Sequence, residues 1–226
     1  MTYHIDTGLI WEVFRKDTEC PLCEIKKVVE EQYLHEFLND AVMEDNTRIA
    51  VGKKGFCADH LAKLMARPNK LSVALQVRTR LEKTEDLLEQ LSSTKQASKK
   101  AKEIRDSLST CVICDYVNES MVKYFKTIAQ MYNNEPEFRE TLKNCKGFCM
   151  PHYSDLLDYS SKAGLFTAKE YVGVLSKVQS DNVTRLDGDL KAFCDKHDYR
   201  NALKPLGNAQ FALKNISDKL HGKKSD

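Results

Sequence analysis

One motif occurs twice in this sequence and limits what the chain can fold into. Each copy has Cys-x-x-Cys and then, after 33 or 34 intervening residues that end in Gly-Phe, Cys-x-x-His. Three thiolates and one imidazole are a ligand set of structural zinc sites, with tetrahedral geometry and no open position. The candidate ligands are Cys20, Cys23, Cys57 and His60 in the first copy, and Cys111, Cys114, Cys149 and His152 in the second.

The two copies belong to a longer internal repeat. The Cys-x-x-Cys pairs match at an offset of 91 residues, and the segment 54–57 matches 146–149 at an offset of 92. Two copies indicate a duplication, because a solenoid usually needs three or more units. We predict a single domain over 1–226, with a first repeat at 18–108, a second repeat at 109–200 and a C-terminal turn and helix at 201–226.

The hydrophobic pattern predicts an all-α fold. Apolar residues recur mostly with helical spacing, and 9 glycines and 5 prolines are few for a β-sandwich. We predict a helical bundle of two pseudo-symmetric repeats, each held together by a Cys₃His metal site, plus a C-terminal helix. The predicted helices cover about residues 8–16, 21–38, 44–51, 57–66, 71–108, 111–131, 136–144, 149–159, 167–197 and 208–220.

Each ligand pair stands at the start of a predicted helix. Ligands at i and i+3 lie on one helix face, and the unpaired N–H groups and positive dipole end favour thiolate over thiol. Gly55 and Gly147 precede the second pair of each repeat, where we expect a backbone geometry that L-residues avoid. The four ligands within a repeat are expected to form one site, which predicts two Zn²⁺ ions per chain. An iron–sulfur cluster with Cys₃His ligation is one alternative, and redox-active dithiols without metal are another.

The remaining cysteines are not predicted to be ligands. Cys145 has Lys53 as its counterpart in the first repeat, so we interpret it as a free thiol. Cys194 and His197 look like half of the motif, but the sequence has no further Cys-x-x-Cys to complete a site with them.

The charge balance disfavours a nucleic-acid partner. The formal net charge is +2, and each loaded site changes it by −1, because three thiols lose protons (−3) and the ion adds +2. Two loaded sites would leave the chain neutral, without the field of a typical nucleic-acid-binding domain. The lysine-rich segment 95–105 is expected to form a solvated helix face, or a docking site for an acidic partner or a nucleic-acid backbone.

The N-terminal segment predicts a cytoplasmic protein without membrane contact. Asp6 and Glu12 interrupt any apolar stretch of the signal-peptide kind, and no run approaches the roughly 18 apolar residues of a membrane span. Cysteines stay reduced in the cytoplasm, where this spacing indicates metal or redox chemistry more than disulfides.

With its doubled motif, the sequence resembles an uncharacterised family of bacterial proteins. Its members share the start Tyr-His-Ile-Asp-Thr, here Tyr3 to Thr7, the two motif copies and a tail Asp-Tyr-Arg-Asn, here Asp198, Tyr199, Arg200 and Asn201. The resemblance spans nearly the whole chain, with Leu206 standing where an aromatic residue is expected. It implies the helical fold and the eight ligand positions, and it supplies no activity.

These observations favour a zinc-stabilised interaction or scaffold protein with a protein partner. A thiol-based redox or metal sensor, or an iron–sulfur electron-transfer protein, is the alternative. An enzyme is less expected, because four protein ligands at each metal leave no position for a substrate. We predict no catalytic residue, and the tail at 198–201 is expected either to cap the bundle or to line a small-molecule pocket.

Overall fold

The computed structural model describes residues 5, 7–39, 41–85, 87–88, 93–196, 198, 200 and 205–223. Within these residues every regular element is a helix, which confirms the predicted all-α class. The α-helices are α1 Gly8–Phe14, α2 Pro21–Asn39, α3 Asp45–Lys54, α4 Ala58–Ala66, α5 Lys70–Glu85, α6 Thr94–Leu108, α7 Val112–Asn134, α8 Pro136–Lys143, α9 Met150–Asp158, α10 Ala168–Lys196 and α11 Ala212–His221. Short 3₁₀ turns lie at Ala41–Met43, Ser160–Ala163 and Gly207–Phe211.

Four of the described helices, α2, α4, α7 and α9, begin at a ligand pair, as predicted. In each, the first ligand directly precedes the helix and the second is its third residue. A helix start has unpaired N–H groups and a partial positive charge, both of which stabilise a thiolate. At α4 the Sγ atom of Cys57 accepts the backbone N–H of His60 at 3.5 Å. Pro21 can open α2 because the N–H that proline lacks would have had no partner within the helix.

The prediction of one helix over 71–108 was wrong, since two helices lie there. α5 ends at Glu85 and α6 begins at Thr94, with Ser93 as its N-cap. The Ser93 hydroxyl oxygen accepts the backbone N–H of Gln96 at 3.3 Å. Serine competes for backbone N–H groups, so it favours a helix start over a helix interior.

The chain divides into two compact units. Unit 1 comprises Met1–Lys27 and Met121–Asp226, and unit 2 comprises Val28–Ser120. The boundaries fall within α2 and within α7, so the units do not follow the two sequence repeats. The single domain, the repeat boundaries and the pseudo-symmetry stay predictions.

Core packing in each unit fixes the phenylalanine that precedes the third cysteine of a motif. In unit 1, the Phe148 ring is fully buried and lies 6.2 Å from the Phe14 ring between centroids. In unit 2, Phe56 lies edge-on to the buried Phe37, with centroids 5.8 Å apart. Full burial of such a side chain contributes about 1.5–3 kcal/mol, so the ligand loops are anchored by the apolar core.

Gly55 ends α3 in a conformation that is essentially restricted to glycine. Its φ is 64° and its ψ is −149°. A Cβ atom at this position would lie 2.5 Å from Nε of Arg80. The Arg80 guanidinium is itself held, because it donates to the carbonyls of Gly52 at 2.9 Å and Ser107 at 3.0 Å.

We therefore expect Gly55→Ala to lower the free energy of unfolding by about 2 kcal/mol, from backbone strain and the displaced Arg80. Gly188→Ala is the matched control, because no described atom beyond its own helix backbone lies within 4 Å of a Cβ there. Alanine in a helix interior is favoured over glycine by about 0.5–1 kcal/mol, so the control should gain stability. Chemical denaturation followed by circular dichroism measures both, and equal effects of the two substitutions would contradict the account.

Among the residues that the structure describes, no helix combines the length and the apolar character needed to cross a membrane.

Candidate metal centres

The eight motif residues come together in two clusters, and each cluster takes one ligand pair from each sequence repeat. Site 1 consists of Cys20, Cys23, Cys149 and His152, and site 2 consists of Cys57, His60, Cys111 and Cys114. In each site the four ligand atoms lie within 4.8 Å of one another, so each could hold one metal ion. Site 1 lies in unit 1 and site 2 in unit 2.

The predicted pairing within each repeat was therefore wrong, although the eight residues are the predicted ones. The reason is the structure of the spacer. The 19-residue α2 carries the chain about 28 Å away from its first turn, where Cys23 lies. The 10-residue α3 is only about 15 Å long, about half the length of α2. The Cys-x-x-Cys pair of one repeat instead meets the Cys-x-x-His pair of the other.

Site 1 is the more buried of the two, although Cys20 and Cys23 line an open surface cavity of about 360 Å³. All four ligands are buried, and Cys149 is fully inaccessible. His152 Nδ1 lies 3.2 Å from the sulfur of Cys149, 3.5 Å from that of Cys20 and 3.6 Å from that of Cys23. The sulfurs of Cys23 and Cys149 are 3.7 Å apart.

Site 2 has the same arrangement with more exposure. His60 Nδ1 lies 3.2 Å from the sulfurs of Cys57 and Cys114 and 3.3 Å from that of Cys111. The sulfurs of Cys57 and Cys114 are 3.8 Å apart. His60 and Cys111 are buried, whereas Cys57 and Cys114 are half-buried. The two sites thus have the same ligand types and a similar geometry, and they differ in how exposed their cysteines are to solvent.

Crowded thiols oppose each other's ionisation in both sites. Burial raises the pKa of Cys20 in site 1, and the neighbouring Cys149 and Cys23 raise it further. In site 2, burial and the adjacent Cys111 raise the pKa of Cys114 to about 12. A divalent cation relieves such repulsion, because a thiol that coordinates a metal is deprotonated outright.

Glu30 orients the histidine of site 2. Its carboxylate accepts a hydrogen bond from His60 Nε2 at 2.8 Å, while His60 Nδ1 faces the three sulfurs. Lys63 donates to both oxygens of the same carboxylate at 2.8 Å. Metal-ligating histidines commonly have a carboxylate on the second ring nitrogen, which fixes the tautomer and the ring orientation. Glu30 is buried, and no motif in the sequence indicates its contact with His60.

Glu30→Gln should weaken metal affinity at site 2 by about 10–100-fold and leave site 1 unchanged. The neutral amide can still contact His60, but it no longer compensates the charge on the ring. Glu31→Gln is the matched control, since Glu31 is the next residue of α2 and pairs with Arg67 at the surface. Competition with a chelator of known affinity measures both, and equal losses in the two variants would rule out this role for Glu30.

The C-terminal helix supports site 1, a feature that sequence reasoning also missed. Lys219 of α11 is buried, and its ammonium donates to the backbone carbonyls of Glu19 and Lys146, each at 2.6 Å. The backbone N–H of Lys223 donates to the sulfur of Cys23 at 3.4 Å. Glu19 and Lys146 each stand shortly before a ligand of site 1, so Lys219 joins the two ligand loops.

The other candidates lie outside both clusters. Cys145 is half-buried, Cys194 is exposed, and all eight cysteines are free of disulfides. His197, Tyr199 and Asn201 lie outside the described residues. Arg200 donates through Nε to Asp198 at 3.1 Å, a local exposed pair. The two expectations for this tail, a cap on the bundle or the lining of a small-molecule pocket, stay predictions.

The fold and the two clusters define a class: an all-helical protein with two Cys₃His clusters that could each hold a metal ion. The chain belongs to a family of unknown function, DUF6062, whose model matches residues 1–226. This match confirms the resemblance to an uncharacterised family. Comparison with curated proteins and with solved structures gives no significant match.

Proposed function

We propose that this chain is a zinc-stabilised cytoplasmic protein whose two Cys₃His sites are structural and whose role is to bind a protein partner. The observation that carries the metal assignment is the spacing of the ligand atoms. At a Zn–S distance of about 2.3 Å and a Zn–N distance of about 2.0 Å, a tetrahedron separates two sulfurs by about 3.8 Å and a sulfur from a nitrogen by about 3.5 Å. One sulfur pair in each site measures 3.7 or 3.8 Å, the sulfur–nitrogen pairs measure 3.2–3.6 Å, and all ligand atoms of a site lie within 4.8 Å of one another.

The same spacing disfavours an iron–sulfur cluster. A cluster places several iron and sulfide atoms between the protein ligands, and its thiolates must stand farther apart than around one ion. Zinc is favoured over other single ions because three thiolates and an imidazole in a tetrahedral set suit it. Free thiols persist in reducing compartments, which supports a cytoplasmic location for this protein.

A binding role is supported by an apolar pair displayed on a turn of unit 1. The side chains of Leu165 and Phe166 are 96% and 98% exposed. The turn is well anchored, because the Thr167 hydroxyl donates to Asn133 Oδ1 at 2.6 Å and the Ala168 N–H donates to the Gly164 carbonyl at 2.9 Å. Large apolar side chains on a fixed turn are typical anchors of protein interfaces. Four protein ligands per metal also leave no open position for metal catalysis.

A redox or metal sensor is the second candidate, and the exposure of site 2 favours it. Cys57 and Cys114 are half-buried with their sulfurs 3.8 Å apart. A peroxide could oxidise this thiolate pair to a disulfide, in which two electrons pass to the peroxide O–O bond and the metal is released.

Elemental analysis of protein purified without oxygen and without added metal tests the assignment. We expect two zinc ions per chain and no visible absorption, and substitution by Co²⁺ should give the spectrum of tetrahedral thiolate coordination. Iron with visible colour, or metal-free folded protein, would contradict the proposal. Zinc release by mild peroxide, reversed by a reductant, would favour the sensor over the purely structural role.

The partner role is tested separately with the double substitution Leu165→Ser and Phe166→Ser. Both side chains are almost fully exposed, so zinc content and stability should stay unchanged. Loss of a complex that co-purifies with the unmodified chain would support the turn as the contact, and an unchanged complex would exclude it.

A further inference from the structure

Direct hydrogen bonds join the two ligand loops of site 2. The backbone N–H of Val112 donates to the Gly55 carbonyl at 3.1 Å. The hydroxyl of Thr110 donates to the Lys54 carbonyl at 2.7 Å. Lys54 and Gly55 precede Cys57, while Thr110 and Val112 flank Cys111, so these bonds hold the two ligand pairs of site 2 together.

Neither bond has a chemical equivalent at site 1. The repeat offset of 91 places Pro21 where the second repeat has Val112, and proline has no backbone N–H. The same offset places Glu19 where the second repeat has Thr110, and an ionised carboxylate accepts hydrogen bonds without donating any.

Lys219 supplies the missing donors. Its three N–H groups face three acceptors, namely the carbonyls of Glu19 and Lys146 at 2.6 Å and the Glu19 carboxylate at 3.4 Å. Lys146 is the counterpart of Lys54, so the same carbonyl accepts a bond in both sites. The lysine is only 2% exposed, and its charge is balanced by Glu19, which also pairs with Arg185.

The end of α11 covers the sulfurs of site 1. A Cβ atom on Gly222 would lie 3.7 Å from the sulfur of Cys149 and 3.9 Å from that of Cys23. Gly222 ends the helix with φ of 85°, and the next N–H, that of Lys223, points at Cys23 Sγ. The end of α11 therefore lies one side-chain contact away from both sulfurs.

We propose that α11 is a lid on site 1 and that Lys219 is the positioning residue that fastens it, so that site 1 releases its metal much more slowly than site 2. The inference rests on the proposed function, since it requires a metal at both sites. It assigns different roles to two sites with the same ligand types: site 1 retains its ion, and site 2 exchanges its ion faster.

The test uses the full-length chain, loaded with two zinc ions, in excess chelator and N-ethylmaleimide. As each ion leaves, its cysteines become alkylated, and peptide mass spectrometry reports the rate for each cysteine. We expect the three cysteines of site 1 to react at least about tenfold more slowly than those of site 2. Lys219→Met, which keeps the length of the side chain and removes its donors, should raise the site 1 rate by about 10–100-fold and leave site 2 unchanged.

Lys214→Met is the matched control, because Lys214 is an exposed lysine of the same helix. If Lys219→Met does not fold, Lys219→Gln retains one amide donor group and should give an intermediate rate. Adding Glu19→Thr to Lys219→Met should restore part of the protection, since a hydroxyl at this position can reach the Lys146 carbonyl as Thr110 reaches Lys54.

Three results would overturn the proposal: equal rates at the two sites of the unmodified chain, an equal acceleration at both sites in Lys219→Met, or no effect of that substitution. Failure of the proposed function looks different. A chain without bound metal would alkylate at rates that do not depend on the chelator.

Discussion

Cys149→Ser should remove the metal of site 1 and lower the stability of unit 1 by about 4 kcal/mol or more. Cys149 is fully buried, so the serine hydroxyl would replace a metal-bound thiolate away from solvent. Structural zinc contributes about 10–16 kcal/mol in zinc-finger peptides, which have almost no other core. Unit 1 has an apolar core of its own, including Phe138 and Phe148, so we expect a smaller loss.

Hydrogen exchange measured helix by helix checks this prediction and shows where the loss falls. Protection should drop in α9 and α11 of unit 1 and persist in α4 of unit 2. Cys111→Ser at site 2 should give the reverse pattern. Cys194→Ser is the control, because this cysteine is exposed and should change stability by less than about 0.5 kcal/mol. Melting of Cys149→Ser at the temperature of the control would contradict a structural metal.

The residues that form the two clusters and the helices that carry them were predictable because both depend on local rules. Cys-x-x-Cys and Cys-x-x-His place ligands on one face of a helix start, and Pro21 marks such a start. The glycine before the third ligand needs positive φ, which Gly55 and Gly147 adopt at 64° and 75°. Each of these features involves a few neighbouring residues.

The pairing of the ligands was not predictable because it depends on the course of the chain between them. A spacer of 33 or 34 residues is long enough to close a loop, but in the first repeat it contains most of the 19-residue α2, which leads away from Cys23. The sequence identifies the two ligand pairs of each motif. The tertiary fold decides which two pairs come together in one site.

The residues that support the two sites could not be identified from the sequence for a related reason. Glu30 belongs to no cysteine motif, and its hydrogen bond to His60 Nε2 joins residues that are 30 positions apart in the sequence. Lys219 lies 67 residues beyond His152, far from any cysteine motif in sequence. The role proposed for it rests on its contacts with the carbonyls of Glu19 and Lys146, which the sequence alone does not show.

The pairing of ligands across the two repeats has a large consequence for metal content. Neither repeat contains a complete site, because Cys20 and Cys23 need Cys149 and His152, while Cys57 and His60 need Cys111 and Cys114. Two ligand substitutions in the same site should therefore cost one metal ion, and two in different sites should cost both. If each repeat instead formed its own site, the same pairs of substitutions would give the opposite zinc contents.

The most direct test is the zinc content of two double variants, measured by elemental analysis and native mass spectrometry. Cys20→Ser with Cys149→Ser disables only site 1, and we expect one zinc ion per chain. Cys20→Ser with Cys57→Ser disables both sites, and we expect none, whereas the unmodified chain and Cys194→Ser should each hold two. One ion in the second double variant and none in the first would show that each repeat builds its own site and would contradict the account.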